Sequence, residues 1–213
     1  MDRAVSETIE YIRGFFSKDF SGHDYYHSMR VYKTAVRIAE KEGADTRTVA
    51  LAALLHDVDD RKLSPETEKT KANAAGFLRN IGENEETVSE IIKIIGEVPF
   101  LGTDSGRPTS KEACCVQDAD RLDAMGAIGI ARTFAFGGSH GRAIYDPEIP
   151  PVLFMNGEEY KNRVSHSVNH FYEKLLLLKN MMNTGEGKAL AEKRDAFLRE
   201  FLEEFYSEWS GES

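Results

Sequence analysis

The sequence has no long apolar run, few cysteines and an excess of acids over bases. No stretch approaches the roughly 20 uninterrupted apolar residues that a membrane helix needs, so no membrane partner is expected. The first segment, MDRAVSETIEYIRGFF, carries acids and lacks the apolar core of a signal peptide, and the expectation is a cytoplasmic protein. Lys and Arg number 27 against 36 Asp and Glu, a formal net charge of −9. Charge-driven nucleic-acid binding rests on many cations neutralising phosphates, so no nucleic-acid partner is expected. Any attraction for a phosphorylated ligand must be local. The only cysteines, Cys114 and Cys115, are adjacent in an apolar run. That suits two reduced, buried thiols better than a disulfide framework.

Also missing are an alternating strand pattern, an internal repeat and any low-complexity tract. What is present is helical periodicity, in a 213-residue chain with 41% apolar and 30% charged residues. This predicts an all-α fold with one hydrophobic core. Helices are expected near residues 4–17, 25–42, 46–57, 65–81, 84–97, 110–134, 158–182 and 186–208, with stop and start signals at Gly43, Ser64-Pro65, Gly82 and Pro99. Two stretches rich in Gly and Pro interrupt the pattern, residues 98–110 and 136–159. The second is long for a structureless connection and reads as a lid or mobile loop. Two apolar stripes, Val164, Val168, Phe171, Leu175, Leu178 and then Phe197, Phe201, Phe205, account for the last two helices as core-facing elements.

Several polar residues fall on the apolar faces. On the second helix Val31, Ala35, Ile38 and Ala39 define an inward face, and four residues before Val31 stands His27. On the third, Val49, Ala52 and Ala53 lead to His56, and Asp57 follows the row of Ala50, Ala53 and Leu54. In EACCVQDADRLDAMGAIG, Asp120 shares a face with Ala113, Val116, Ala124 and Ala127, whereas Asp118 falls off it. A buried unpaired carboxylate is costly. Two imidazoles and two carboxylates entering from three helices satisfy one another by binding a cation. Taken singly, an inward histidine also fits a hydrogen-bonded core role, and Asp57 fits a cap or a partner of Lys62 or Arg30.

His27, the His56-Asp57 pair and the distant Asp120 resemble the H…HD…D signature of the HD-domain superfamily of metal-dependent phosphohydrolases. HSMRVYKTA, ALAALLHDVDD, VQDADRLDAMGAIGIAR and HFYEKLLLLKNMM are similar to a bacterial-type HD hydrolase subgroup, from Gly22 to about Arg199. The resemblance implies a compact all-helical HD fold, one domain over residues 1–213 with its core at about 22–135 and C-terminal helices at about 158–208 packing on it. It implies that His27, His56, Asp57 and Asp120 ligate one divalent metal, Asp120 occupying the aspartate position of the ADRL motif. Asp123, one turn on, either orients a ligand or water or is a solvated or capping residue.

Such a mixed N/O set leaves positions open for water and a substrate oxygen. Mn²⁺ is favoured, with Mg²⁺, Fe²⁺, Co²⁺, Ni²⁺ and Zn²⁺ as alternatives. The expected reaction is hydrolysis of a phosphate ester or anhydride in a small molecule, most readily a nucleotide, by a metal-activated water. Asp60, one helical turn after His56, is the candidate to orient or deprotonate that water, with Asp59 the runner-up. Arg30, Lys62 and Arg121 are candidates to face phosphate. His23 is either a substrate contact, an acid or a support for the ligands, or simply covers a helix capped by Ser21 or Asp24. His166 and His170 stand four apart without an acidic partner, so no second metal is expected there, and His170 is a candidate substrate contact. His140 reads as a loop residue. The alternatives are an HD-fold oxygenase holding two irons and a non-catalytic metal or nucleotide sensor, in a monomer or homodimer.

Overall fold

A computed structural model describes residues 2–17, 24–61, 63–100, 106–153 and 165–212. Among them no strand occurs, and the all-α expectation holds. The chain divides into two compact units, one of residues 1–99 and 107–120, the other of residues 100–106 and 121–213. The division falls inside a helix, between Asp120 and Arg121.

The first unit holds α1 (Arg3–Phe15), α2 (Tyr25–Glu42), α3 (Thr46–Leu55), α4 (Ala72–Asn80), α5 (Glu85–Glu97) and most of α6 (Lys111–Asp123). Side-chain caps start four of these: Asp2, Asp24, Asp45 and Asn84 each accept from a first-turn amide, which satisfies donors the helix itself leaves open. Gly43, at φ 64°, closes α2 in the left-handed conformation that glycine adopts without steric cost. α3 is the central element, buried from Thr48 to Leu55 and packed against α1, α2 and α5. Its C-terminal end therefore opens into the interior, and that is where His56 and Asp57 begin. The start of α6 is fastened to the α2–α3 turn: Lys111 donates to the Glu42 and Gly43 carbonyls, and the Asp45 amide to Glu112. These anchors set the line along which Asp120 approaches α3.

The second unit holds the end of α6, α7 (Gly126–Ser139), the short α8 (Asn169–Glu173), a 3₁₀ helix (Leu175–Met181) and α9 (Gly185–Ser210). Val168, Phe171, Leu175, Leu178, Ala191, Leu198 and Leu202 form its core, with Phe171 stacked on Phe201. No helix among the described residues is long and apolar enough to cross a membrane.

Four of the helix expectations need correction. The helix expected over 65–81 begins only at Ala72, because PETEKTK supplies no apolar stripe and Lys71 turns left-handed at φ 52°. The helix expected over 110–134 is two: three-residue closures at Ala124 and Met125 end α6, and Gly126 at φ 68° redirects the chain. Over 158–182 the helical turns are α8 and the 3₁₀ helix; residues 158–164 lie outside the described residues. On α9 the inward line runs through Ala191, Asp195, Leu198 and Leu202, and Phe197 is 46% exposed. Of the long connection expected over 136–159, residues 136–139 complete α7. The rest, as far as Leu153, is held down by polar contacts: His166 Nε2 and Asn169 Nδ2 reach the Ile149 carbonyl, and Glu173 accepts from the Val152 amide.

Candidate metal centre

His27 enters from the first turn of α2, its amide capped by Asp24 at 2.7 Å. His56 is the residue that closes α3, and its Nδ1 lies 2.8 Å from the Ala53 carbonyl. That carbonyl is one a helix end leaves without an intrahelical partner. Donating Nδ1–H to it fixes the ring and leaves Nε2 as the basic nitrogen, the arrangement found where histidine ligates metals. The two Nε2 atoms face each other at 3.3 Å. Asp57 Oδ2 sits 3.3 Å from each of them. Asp120 Oδ1 closes the group from α6, 3.5 Å from His27 Nε2 and 3.8 Å from His56 Nε2.

The donors of one ion bound at about 2.1 Å lie roughly 3.0 Å apart at right angles and roughly 3.4 Å apart in a tetrahedron. The 3.3 Å spacings among His27 Nε2, His56 Nε2 and Asp57 Oδ2 therefore fit a single divalent ion, with Asp120 at the edge of the group. Both histidines are almost fully buried, whereas the Asp120 side chain is 27% exposed, so the group is closed on the protein side and reachable from solvent at Asp120. The C-terminal end of α3 adds the negative end of its dipole, which favours a cation. Among the described residues, His27, His56 and Asp57 are the one group of three potential ligands with donor atoms within 4.8 Å of one another.

The electrostatics point the same way. Burial works against a charged His56, yet the Asp57 and Asp120 carboxylates outweigh it and hold the imidazole above its ordinary value. Burial likewise pushes Asp120 up, and the His27 and His56 rings overcome it and bring it down. Ligation needs a neutral imidazole, so a cation binding here would compete with the proton that the carboxylates favour on His56.

The remaining candidates fall in different places. His56 and Asp57 lie beyond the end of α3, in turns closed every three residues: Val58 to Leu55 at 3.2 Å and Asp60 to Asp57 at 3.0 Å. Asp60 is thus tied back to Asp57 by a three-residue turn, and the segment is not the continuation of α3 that would set Asp60 one α-helical turn above His56. Asp59 is a correction. Its carboxylate is fully buried and accepts from the amides of Asn73 and Ala74 at 3.1 and 3.0 Å, which removes it from the chemistry of the water. Arg30 is half-buried one turn after His27. Arg121 is a second correction: its guanidinium is buried and donates to the Met181 carbonyl inside the second unit. His23 and Lys62 lie outside the described residues.

His170 is half-buried in α8, within the second unit. Asp123 is ion-paired with Arg132 at 2.7 Å. Asp118 is fully buried, against the expectation from helical phase, because α6 is enclosed on every side from Ala113 to Ala119. Cys114 and Cys115 are free, buried thiols, and burial with the nearby Asp118 charge pushes Cys115 up to about 12. His166, expected off the apolar face, is buried; its Nδ1 accepts from the Asn169 amide and its Nε2 faces Ile149. His140 ends α7, stacked on Phe136.

An all-helical chain that gathers two imidazoles and two carboxylates into one partly open, cation-ready group has the makings of a metal-dependent hydrolase. The chain belongs to the HD-domain family: the HD domain model matches residues 24–125, the span that holds all four candidate ligands. It is 36% identical to YpgQ of Bacillus subtilis over 203 residues, 94% of this chain and 91% of that one. An HD-superfamily hydrolase from Bacillus thuringiensis superposes with a TM-score of 0.77 at 42% identity, covering 97% of this chain and 96% of that one. YpgQ in complex with ADP superposes with a TM-score of 0.76, covering 97% and 95% at 31% identity.

Proposed function

We propose that His27, His56, Asp57 and Asp120 hold one divalent ion, Mn²⁺ by preference, for hydrolysis of a phosphate ester or anhydride in a nucleotide. The convergence of His27 Nε2, His56 Nε2 and Asp57 Oδ2 at 3.3 Å from one another, with Asp120 Oδ1 3.5 and 3.8 Å from the two imidazoles, carries this reading. A divalent ion so held supplies Lewis acidity toward a phosphoryl oxygen and makes a water more acidic. The chain's own residues do the rest. The buried imidazoles and Asp57 fix the ion on the closed side, and Asp120 borders the open side where substrate enters. Asp60, joined to Asp57 by a three-residue turn, is assigned to orient the attacking water and take its proton. Arg30, one turn beyond His27, offers positive charge to phosphate in a chain of net charge −9. ADP bound to YpgQ supports a nucleotide as the substrate class.

The test is a panel of nucleoside mono-, di- and triphosphates and phosphorylated sugars, assayed with Mn²⁺, Mg²⁺ and other divalent ions, with phosphate and pyrophosphate measured separately. Release from at least one nucleotide, abolished by chelator and restored by Mn²⁺, is the expected result. Release that is unchanged in chelator, or from non-nucleotide esters only, contradicts the reading.

A further inference from the structure

Asp59 is the most deeply buried carboxylate of the HDVDD segment, and it touches neither His27 nor His56 in any contact described above. Its two oxygens are divided between two amides, Oδ1 taking Asn73 N and Oδ2 taking Ala74 N. These are the second and third residues of α4, the donors that a capping side chain ordinarily satisfies. The local capping position is occupied by Lys71, whose side chain makes no such bond. Asp59 therefore caps α4 from 14 and 15 residues away, with the positive end of the helix dipole reinforcing the contact.

The connection is tightened from both sides. Asn73 Nδ2 donates to the Val58 carbonyl at 3.4 Å and to Thr67 Oγ1 at 3.1 Å, and Lys71 Nζ to the Asp59 carbonyl at 3.4 Å. Lys71 itself adopts φ 52°, the one positive φ at a non-glycine among the described residues. A lysine pays a steric penalty there, and the conformation is what turns the start of α4 toward Asp59.

The three-residue turns explain why this matters for the metal. Asp57 and Asp60 are joined by a three-residue turn, Asp60 N to the Asp57 carbonyl at 3.0 Å, and Asp59 lies inside that turn with its carboxylate held by α4. Fixing Asp59 fixes the rotation of the segment about its own axis, and with it the direction in which Asp57 meets the two imidazoles. Resting on the metal-site reading above, we propose that Asp59 is a positioning residue: the α4 cap holds Asp57 and Asp60 in register for the ion, and the left-handed Lys71 completes that anchor.

The test is Mn²⁺ titration calorimetry on the full chain, alongside thermal unfolding of the metal-free protein. Asp59→Asn keeps the shape and one acceptor but sets an amide against an amide; its dissociation constant for Mn²⁺ is expected to rise about tenfold, within the range seen when partners behind metal ligands are removed. Asp59→Ala should weaken binding further. Lys71→Val alters no carboxylate but disfavours positive φ, and should weaken Mn²⁺ binding as well. Lys71→Gly, which takes that φ freely, should bind as the parent does. Amide exchange at Asn73 and Ala74 should quicken in the variants that lose affinity. Folded Asp59→Asn and Lys71→Val proteins with parental Mn²⁺ affinity would overturn the anchor, even if both melt earlier, since that is the signature of a cap that only stabilises. A parent protein that binds no Mn²⁺ sinks the metal reading instead. A parent that binds Mn²⁺ but releases no phosphate sinks only the hydrolase reading, and the affinity comparison still decides the role of Asp59.

Discussion

Asp57→Ala should give a folded protein that binds Mn²⁺ more than about 100-fold less tightly and releases no phosphate from nucleotide. The bound is set by comparison: removing a group behind a ligand costs about 10- to 100-fold in metal affinity, and Asp57 is itself proposed to touch the ion. Its Oδ2 is equidistant, at 3.3 Å, from both imidazole nitrogens, so no other side chain replaces it without moving a helix. The fold should survive, because α3 ends at Leu55 with its apolar residues intact and the lost carboxylate had been sharing a site with Asp120. Without Asp57, burial acts on His56 with less opposition, its pKa falls, and the metal-free site becomes easier to accommodate. Circular dichroism, Mn²⁺ calorimetry and a phosphate-release assay on one preparation separate these effects. Parental turnover in a folded Asp57→Ala protein would remove the site from the reaction.

The largest expected effect on stability is in the second unit. Gly129→Ala should lower stability by about 2 to 3 kcal/mol, the upper part of the roughly 1 to 3 kcal/mol that forcing an atom into filled space costs, and lower Tm by roughly 5 to 10 °C. An ordinary exposed helical glycine behaves oppositely, since alanine there gains about 0.5 to 1 kcal/mol. The sign reverses because a Cβ at Gly129 overlaps the Ala124 carbonyl, backbone that cannot swing aside. That carbonyl precedes the turn through Gly126 at which α6 gives way to α7. Gly138, on the same helix, has nothing within 4 Å of the corresponding position, and Gly138→Ala should be neutral or slightly stabilising. Thermal melts of the two variants side by side check the prediction; two shifts of the same sign would contradict it.

The same turn marks where the sequence stopped being informative. DRLDAMGAIG reads as uninterrupted helix, because each residue before and after the turn has good helical phase, and a left-handed glycine leaves no periodic trace. The clustering of the four candidate ligands was legible for the complementary reason. His27 and Asp120 sit in phase with aliphatic residues that have no alternative to burial, so a polar residue on that line demands a partner. Asp57 was legible from its pairing with His56, although both lie past the end of α3. Asp59 was misread as chemistry: a carboxylate between two others looks catalytic in a linear sequence, and its partners are 14 and 15 positions on, at the start of a helix. Arg121 failed likewise, its partner Met181 being 60 residues away. Phe197 shows the limit of counting apolar residues, since its line on α9 is the one beside the core, and Leu198 and Leu202 fill the inward positions.

The central claim is that four side chains hold one ion, and a crystal grown or soaked with Mn²⁺ tests it most directly through anomalous scattering. The account predicts a single strong peak per chain, about 2.0 to 2.3 Å from His27 Nε2, His56 Nε2 and a carboxylate oxygen of each of Asp57 and Asp120. A peak ligated by other residues, or none in this group at saturating Mn²⁺, would contradict it.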